Sequence, residues 1–241
     1  GIRTKSKLKY TFPAFATDFD AVDKSHIYNL HHYLKGLINF NNRRQAKEDF
    51  LKLARAVYQS KKIFEFEQEY DGYNKKQIIK WYTKESPVYK LVNNCLRIAT
   101  SDSILYCRYL LKDLEQAIRE HYKQQNPPYH GLVYRGAYIS KEEWGKLQLN
   151  VGKEIEMYGF LSTSQCLEIA KKFLGDDLEN KILITIIIPP FPLPELDEQG
   201  FANPCENSGF KEAEILFNVR SKFRILETGT TKLNDQGQEC R

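Results

Sequence analysis

The period of the apolar residues changes once along this chain, across Asn126-Pro127-Pro128, and that change fixes what the chain can fold into. Before it, apolar side chains recur at helical spacing: Ile27, Leu30, Leu34 and Leu37; Ala46, Phe50, Leu53 and Val57; Val88, Leu91, Cys95 and Ile98; Leu110, Leu111, Leu114, Ala117 and Ile118. Two successive prolines then remove the amide donors that a helix needs. After them the apolar residues come in short runs that read as strands: Gly131–Tyr138, Glu154–Ser162, Lys181–Ile188, Ala213–Val219 and Phe223–Glu227. Cys166–Leu174 reads as a short helix between two of these. The stretch 189–211 carries five prolines (Pro189, Pro190, Pro192, Pro194, Pro204) and two glycines (Gly200, Gly209), and so reads as a long irregular loop. Loops of that length inside a domain are uncommon and often functional. The pattern predicts an α+β chain, with a helical lobe over residues 1–128 and a β-rich core over 129–241, together one domain.

Composition supports a folded chain and narrows its partners. With 241 residues, 41% of them hydrophobic, there is enough apolar surface for a substantial core. The net charge of +5, from 36 Lys+Arg and 31 Asp+Glu, is interspersed without a basic run. That suits an anionic small molecule or an acidic protein surface and is too weak for nucleic acid. The longest apolar run, Ile182–Ile188, falls far short of the roughly 20 residues that span a bilayer, so no membrane span is expected. The 5 cysteines (Cys95, Cys107, Cys166, Cys205, Cys240) lack C-x-x-C spacing, and no metal site is expected. Their odd number, their wide spacing and the lack of an Asn-x-Ser/Thr sequon lean toward a reducing, cytoplasmic setting. Gly1 stands where an initiator Met would, so the sequence reads as a piece cut from a longer protein.

Three short pieces of the β half carry chemistry. Tyr134-Arg135-Gly136 puts an arginine on the first strand, and its planar fork matches phosphate oxygens. Phe160-Leu161-Ser162-Thr163-Ser164 puts small hydroxyls at a strand end. Glu212-Ala213-Glu214 offers two carboxylates at i and i+2, which on a strand share a face. A phosphate clamp, a hydroxyl shelf and a carboxylate pair suit cleavage of a dinucleotide's glycosidic bond. Each piece alone has a plain structural reading: a surface arginine, a polar strand end with Ser164 capping the next helix, an edge strand of alternating charge. Gly131 and Gly136 have the glycine spacing of a P-loop, but Ala137-Tyr138 follows where Lys-Ser/Thr is required, which excludes that chemistry.

The three pieces in this order resemble the R-S-E class of mono-ADP-ribosyltransferases, which includes arginine-specific enzymes and bacterial toxins. The motifs span Gly131–Glu227. The resemblance implies a helical lobe packed on a split, two-sheet β-sandwich core that binds NAD+ in the cleft between the sheets. It implies transfer of ADP-ribose from NAD+ to an accessible arginine of a protein acceptor, with release of nicotinamide and without a metal. The implied catalytic residues are Arg135, Ser162, Glu212 and Glu214. The implied NAD+-binding residues are Arg135, Gly136, Ser162, Thr163, Phe210 and Glu214. Two features depart from the pattern. Phe210 lies two residues before Glu212, where many members place an aromatic three before the first glutamate. His130-Gly131 opens like the His-Tyr-Glu class, yet Arg135-Gly136 and Ser162-Thr163-Ser164 fit the arginine class.

Within this reading Glu214 stabilises charge that develops on the ribose only in the transition state. Glu212 orients the incoming guanidinium, and Ser162 hydrogen-bonds the ribose or braces Glu214. Thr163 faces the other way on a regular strand and reads as structural. Tyr134, Phe160 and Phe173 read as core, while Phe201 and Phe210, in the polar loop, are placed to stack on nicotinamide or meet a target. His31, His32 and His121 lie in helical stretches and read as structural. Two other functions remain open: an NAD+ glycohydrolase using water as acceptor, and a non-catalytic NAD+ or ADP-ribose binding module.

Overall fold

The helical stripes bury themselves as their spacing requires. The computed structural model describes residues 43–57, 67, 77–83, 87–98, 101–157, 159–174, 181–190, 200–203 and 213–229. The stripe at Ile27–Leu37, and with it His31 and His32, lies outside the described residues, as do Cys205 and Cys240. Helices α1 (Arg43–Val57), α2 (Ile78–Thr83), α3 (Pro87–Ile98) and α4 (Ser101–Gln124) form the helical part. Phe50 and Ala54 of α1, Trp81 of α2, Val88, Leu91 and Cys95 of α3, and Leu110, Leu114 and Ile118 of α4 meet in one core. Pro87 opens α3 at the first position, where its missing amide costs nothing. Helix α2 falls where the sequence predicts no element. Arg108, 4% exposed, donates to Asp49 at 2.8 Å and ties α4 to α1. No helix among the described residues is long and apolar enough to cross a membrane.

The chain turns to strands after α4, as the proline pair predicts. The elements that follow are β1 (Gly131–Tyr138), α5 (Lys141–Leu149), β2 (Glu154–Met157), β3 (Leu161–Ser164), α6 (Leu167–Lys172), β4 (Lys181–Ile188), β5 (Phe201–Ala202), β6 (Glu214–Phe217) and β7 (Ser221–Arg224). They form two antiparallel sheets, one of five strands in the order β4-β1-β3-β6-β5 and one of two, β2-β7. The sheets share a second core, in which Met157 of β2 and Phe223 of β7 lie with Val133, Leu161, Ile186, Ile215 and Phe217 of the larger sheet. Phe217 and Phe223 meet edge to face at 5.2 Å. The architecture is α+β, as the sequence pattern predicts, with the split, two-sheet core that the resemblance implies.

The run Glu154–Ser162, predicted as one strand, is two. β2 pairs with β7, and β3 pairs with β6. The chain leaves one sheet for the other between β6 and β7, at Asn218–Arg220, where Arg220 takes a positive φ of 66°. The antiparallel partners must break at the same level, and they do so around Gly159. Around the break the run is apolar on both faces, at Met157, Tyr158, Phe160 and Leu161, and Gly159 is its one local sign.

The two parts of the chain interlock. Asn218, in the turn after β6, donates to the Glu115 carbonyl of α4 at 3.1 Å, and Gln125 donates to the Phe201 carbonyl at 3.3 Å. Gly200 sits against Tyr122 with φ +68°, and a Cβ there would come 2.9 Å from the Tyr122 Cβ. That position excludes any larger residue on both backbone and contact grounds. Phe201, expected to be exposed in a polar loop, is fully buried between Tyr122 and Phe217. The loop it belongs to includes the short strand β5, and burial against α4 overrides its polar neighbours. Phe173, read as core, is 65% exposed. Helix α6 has only two turns, and its packed side is used by Ala170 and Leu174.

Candidate functional site

Strand alternation decides which side chains can meet. In β3 and β6, Ser164 lies opposite Glu214 and Ser162 opposite Leu216, so Ser162, Ser164, Glu214 and Leu216 share a face. Leu216 belongs to the helical core, and Ile215 and Phe217 point to the core between the sheets. Glu214 therefore begins a strand that is buried on both sides, and it is only 8% exposed itself. A buried carboxylate needs a donor. The Ser162 hydroxyl supplies one from the diagonal position, donating to Glu214 Oε1 at 2.6 Å.

The Arg135 side chain leaves β1 on the other face, that of Thr163 and Ile215, and reaches in to the backbone of Ser162. Strands β1 and β3 pair at Tyr134 with Ser164, and no further pair joins them, although β1 runs on to Tyr138 against β4. The sheet thus opens between β1 beyond Tyr134 and β3 ahead of Ser164. The guanidinium of Arg135 enters this opening and donates from Nη1 to the Ser162 carbonyl at 2.8 Å. One residue, Ser162, holds the arginine with its backbone and the carboxylate with its side chain. A fixed cation and a fixed, desolvated anion at one gap can bind an anionic group and stabilise developing positive charge beside it. In so dry a place electrostatic effects are several-fold stronger than in water.

Thr163, Ser164 and Gly136 each have another partner. Thr163 is buried on the opposite face, where its hydroxyl donates to the Ile215 carbonyl at 2.8 Å and fastens β3 to β6. Ser164 is buried too, and its hydroxyl accepts the Cys166 amide at 3.0 Å just ahead of α6. Gly136 lies beneath α6. A Cβ at this residue would come 2.5 Å from the Ala170 carbonyl oxygen, so the missing side chain makes room for a helix. Glu212 and Phe210 lie outside the described residues. The Gln165 amide donates to the Ala213 carbonyl at 2.7 Å, which carries the β3–β6 pairing one step beyond Glu214.

Chains of known structure can be set beside this geometry. No family model matches the chain, and no curated protein matches it. It is similar to the solved structure of Vis toxin, an ADP-ribosyltransferase from Vibrio splendidus, at 21% identity over 82% of this chain and 84% of that one, with a TM-score of 0.46. It is similar to the ADP-ribosyltransferase HopU1 of Pseudomonas syringae at 17% identity, over 81% of this chain and 94% of that one, TM-score 0.47. A third similar structure is the C3 exoenzyme of Clostridium limosum, at 18% identity over 68% and 81% of the two chains, TM-score 0.43.

Proposed function

We propose that this chain is an NAD+-dependent mono-ADP-ribosyltransferase that modifies arginine side chains of a protein acceptor. The observation that carries the proposal is the convergence of three sequence motifs on one opening in the sheet. Ser162 holds Glu214 Oε1 at 2.6 Å and accepts Arg135 at 2.8 Å. Departure of nicotinamide leaves a ribose with oxocarbenium character, as in glycoside cleavage. Glu214, buried and oriented by Ser162, is suited to stabilise that charge, which appears only in the transition state. Arg135 is suited to hold the pyrophosphate. Glu212 precedes Glu214 by two residues in sequence, and its proposed task is to receive the attacking guanidinium. That group is cationic and approaches a sugar that is itself becoming positive, so it needs an anion beside it.

The test is a single incubation with labelled NAD+, in which nicotinamide released is compared with ADP-ribose attached to agmatine and to candidate proteins. Transfer to the guanidine group, mapped by mass spectrometry, is expected. Glu212→Gln is expected to lose transfer while slow release of nicotinamide to water persists. Release without transfer to any guanidine acceptor marks a glycohydrolase. No release at millimolar NAD+ removes the enzymatic reading altogether and leaves the binding module.

A further inference from the structure

Helix α6 lies across the opening between β1 and β3. At its start, the Ser164 hydroxyl accepts the Cys166 amide and fastens the chain to β3. At its end, Ala170 and Leu174 rest on β1 over Gly136, where a Cβ would also come 3.0 Å from the Leu174 side chain. The Lys181 ammonium, at the first residue of β4, donates to the Leu174 carbonyl and stands 5.0 Å from the centre of the Tyr138 ring. A helix of two turns does not hold its place by propensity. Its position is set by these contacts at its two ends. One element therefore links the strand that carries Arg135 to the strand that carries Ser162, at the level where their own pairing has stopped.

We propose that α6 is a strut that sets the separation of β1 and β3, and that Gly136 and Lys181 are positioning residues acting through it on Ser162 and Glu214. The catalytic consequence rests on the reading of Ser162 and Glu214 as the reacting centre, whereas the strut does not. Removing the Lys181 ammonium releases the Leu174 carbonyl, two residues beyond the end of α6, from β4. Adding a methyl at Gly136 forces the Ala170 carbonyl, a backbone atom, away from β1. Either change lets β3 shift against β1 and disturbs an alignment in which an error of about 1 Å can cost up to ~10²-fold in rate.

The experiment uses the whole chain and five proteins: wild type, Lys181→Met, Lys181→Arg, Gly136→Ala, and Lys172→Met as a control on the exposed side of α6. Amide hydrogen exchange over residues 161–166 is measured together with kcat and KM for nicotinamide release. Lys181→Met and Gly136→Ala are expected to raise exchange in this segment several-fold. They are expected to lower kcat roughly 10-fold and to leave KM for NAD+ within about two-fold. Lys181→Arg, which keeps a cationic donor, and Lys172→Met are expected to match wild type. If Gly136→Ala does not fold, Lys181→Met decides alone. Unchanged exchange in Lys181→Met overturns the strut. A rise in KM with kcat intact also overturns it, by making Lys181 an electrostatic contact for the substrate. Wild type that releases no nicotinamide removes the enzymatic reading, and the exchange comparison then decides the strut by itself.

Discussion

At the scale of single residues, the Ser162–Glu214 hydrogen bond is the most informative contact in the molecule. It joins a hydroxyl and a carboxylate 52 residues apart in sequence. Glu214→Gln keeps the shape and removes the charge. Nicotinamide release is expected to fall by about 10²–10⁴, with NAD+ affinity nearly unchanged, in steady-state kinetics and calorimetric titration. Ser162→Ala leaves the charge and removes the donor that orients it. A hydrogen bond to a charged group contributes about 1.5–3 kcal/mol, so kcat is expected to fall roughly 10- to 100-fold, less than for Glu214→Gln. A larger loss in Ser162→Ala than in Glu214→Gln refutes this ranking. The three motifs that converge here were legible in the sequence because each has its residue types at fixed spacing. That Thr163 faces away and is structural was legible too, but the partners of Gly136 and Thr163 were not. Gly136 is occupied with the backbone of α6, and Thr163 with the Ile215 carbonyl, and neither partner lies near it in sequence.

At the scale of elements, strands with intact alternation were readable and the breaks between them were not. β1 and β4 run over the residues predicted, Gly131–Tyr138 and Lys181–Ile188. The division of β2 from β3 is imposed by the turn at Asn218–Arg220, more than fifty residues downstream, and Gly159 is the one local hint of it. Helix α5 had a readable signal that periodicity missed. Ser140 accepts the Glu143 amide at 3.2 Å, and the Glu143 carboxylate accepts the Ser140 amide at 2.7 Å, a complete capping box. Ser140→Ala is expected to lower stability by about 1 kcal/mol, read as a shift of the urea midpoint at unchanged slope. A variant as stable as wild type shows that α5 is held by its packing alone.

At the scale of the whole molecule, the buried ion pair between α1 and α4 gives the fold an acid dependence. Burial pushes the Asp49 carboxyl up, but hydrogen bonds from Gln45 and Arg108 and the charges of Arg108 and Lys52 outweigh it and hold the group below its usual value. A carboxyl lowered on folding stabilises the native state above its unfolded pKa of about 3.9, and that contribution disappears as pH falls through the folded value. Asp49→Asn does not titrate. The variant is expected to be roughly 1–3 kcal/mol less stable than wild type at pH 6, and the difference is expected to shrink as pH falls from 5 to 3. Denaturant unfolding at both ends of that range reads it directly. A difference that does not depend on pH assigns the loss to packing. The helical half was the more legible part of the molecule. Its contacts are set by spacings of three and four residues, whereas the β half depends on which distant strands meet.

That division has a consequence in time. Helices α1 to α4 meet one another within roughly the first half of the chain, although Phe160, Ala202, Leu216 and Val219 complete their core only later, and β1 waits for β4 and β3 waits for β6. Contacts distant in sequence form late, because loop closure must be bought before they return anything. On the ribosome, β6 emerges only after every helix among the described residues has been synthesised, and the carboxylate at its head arrives with it. Until then Ser162 has no anion to hold, and on the proposed reading the growing chain is inert.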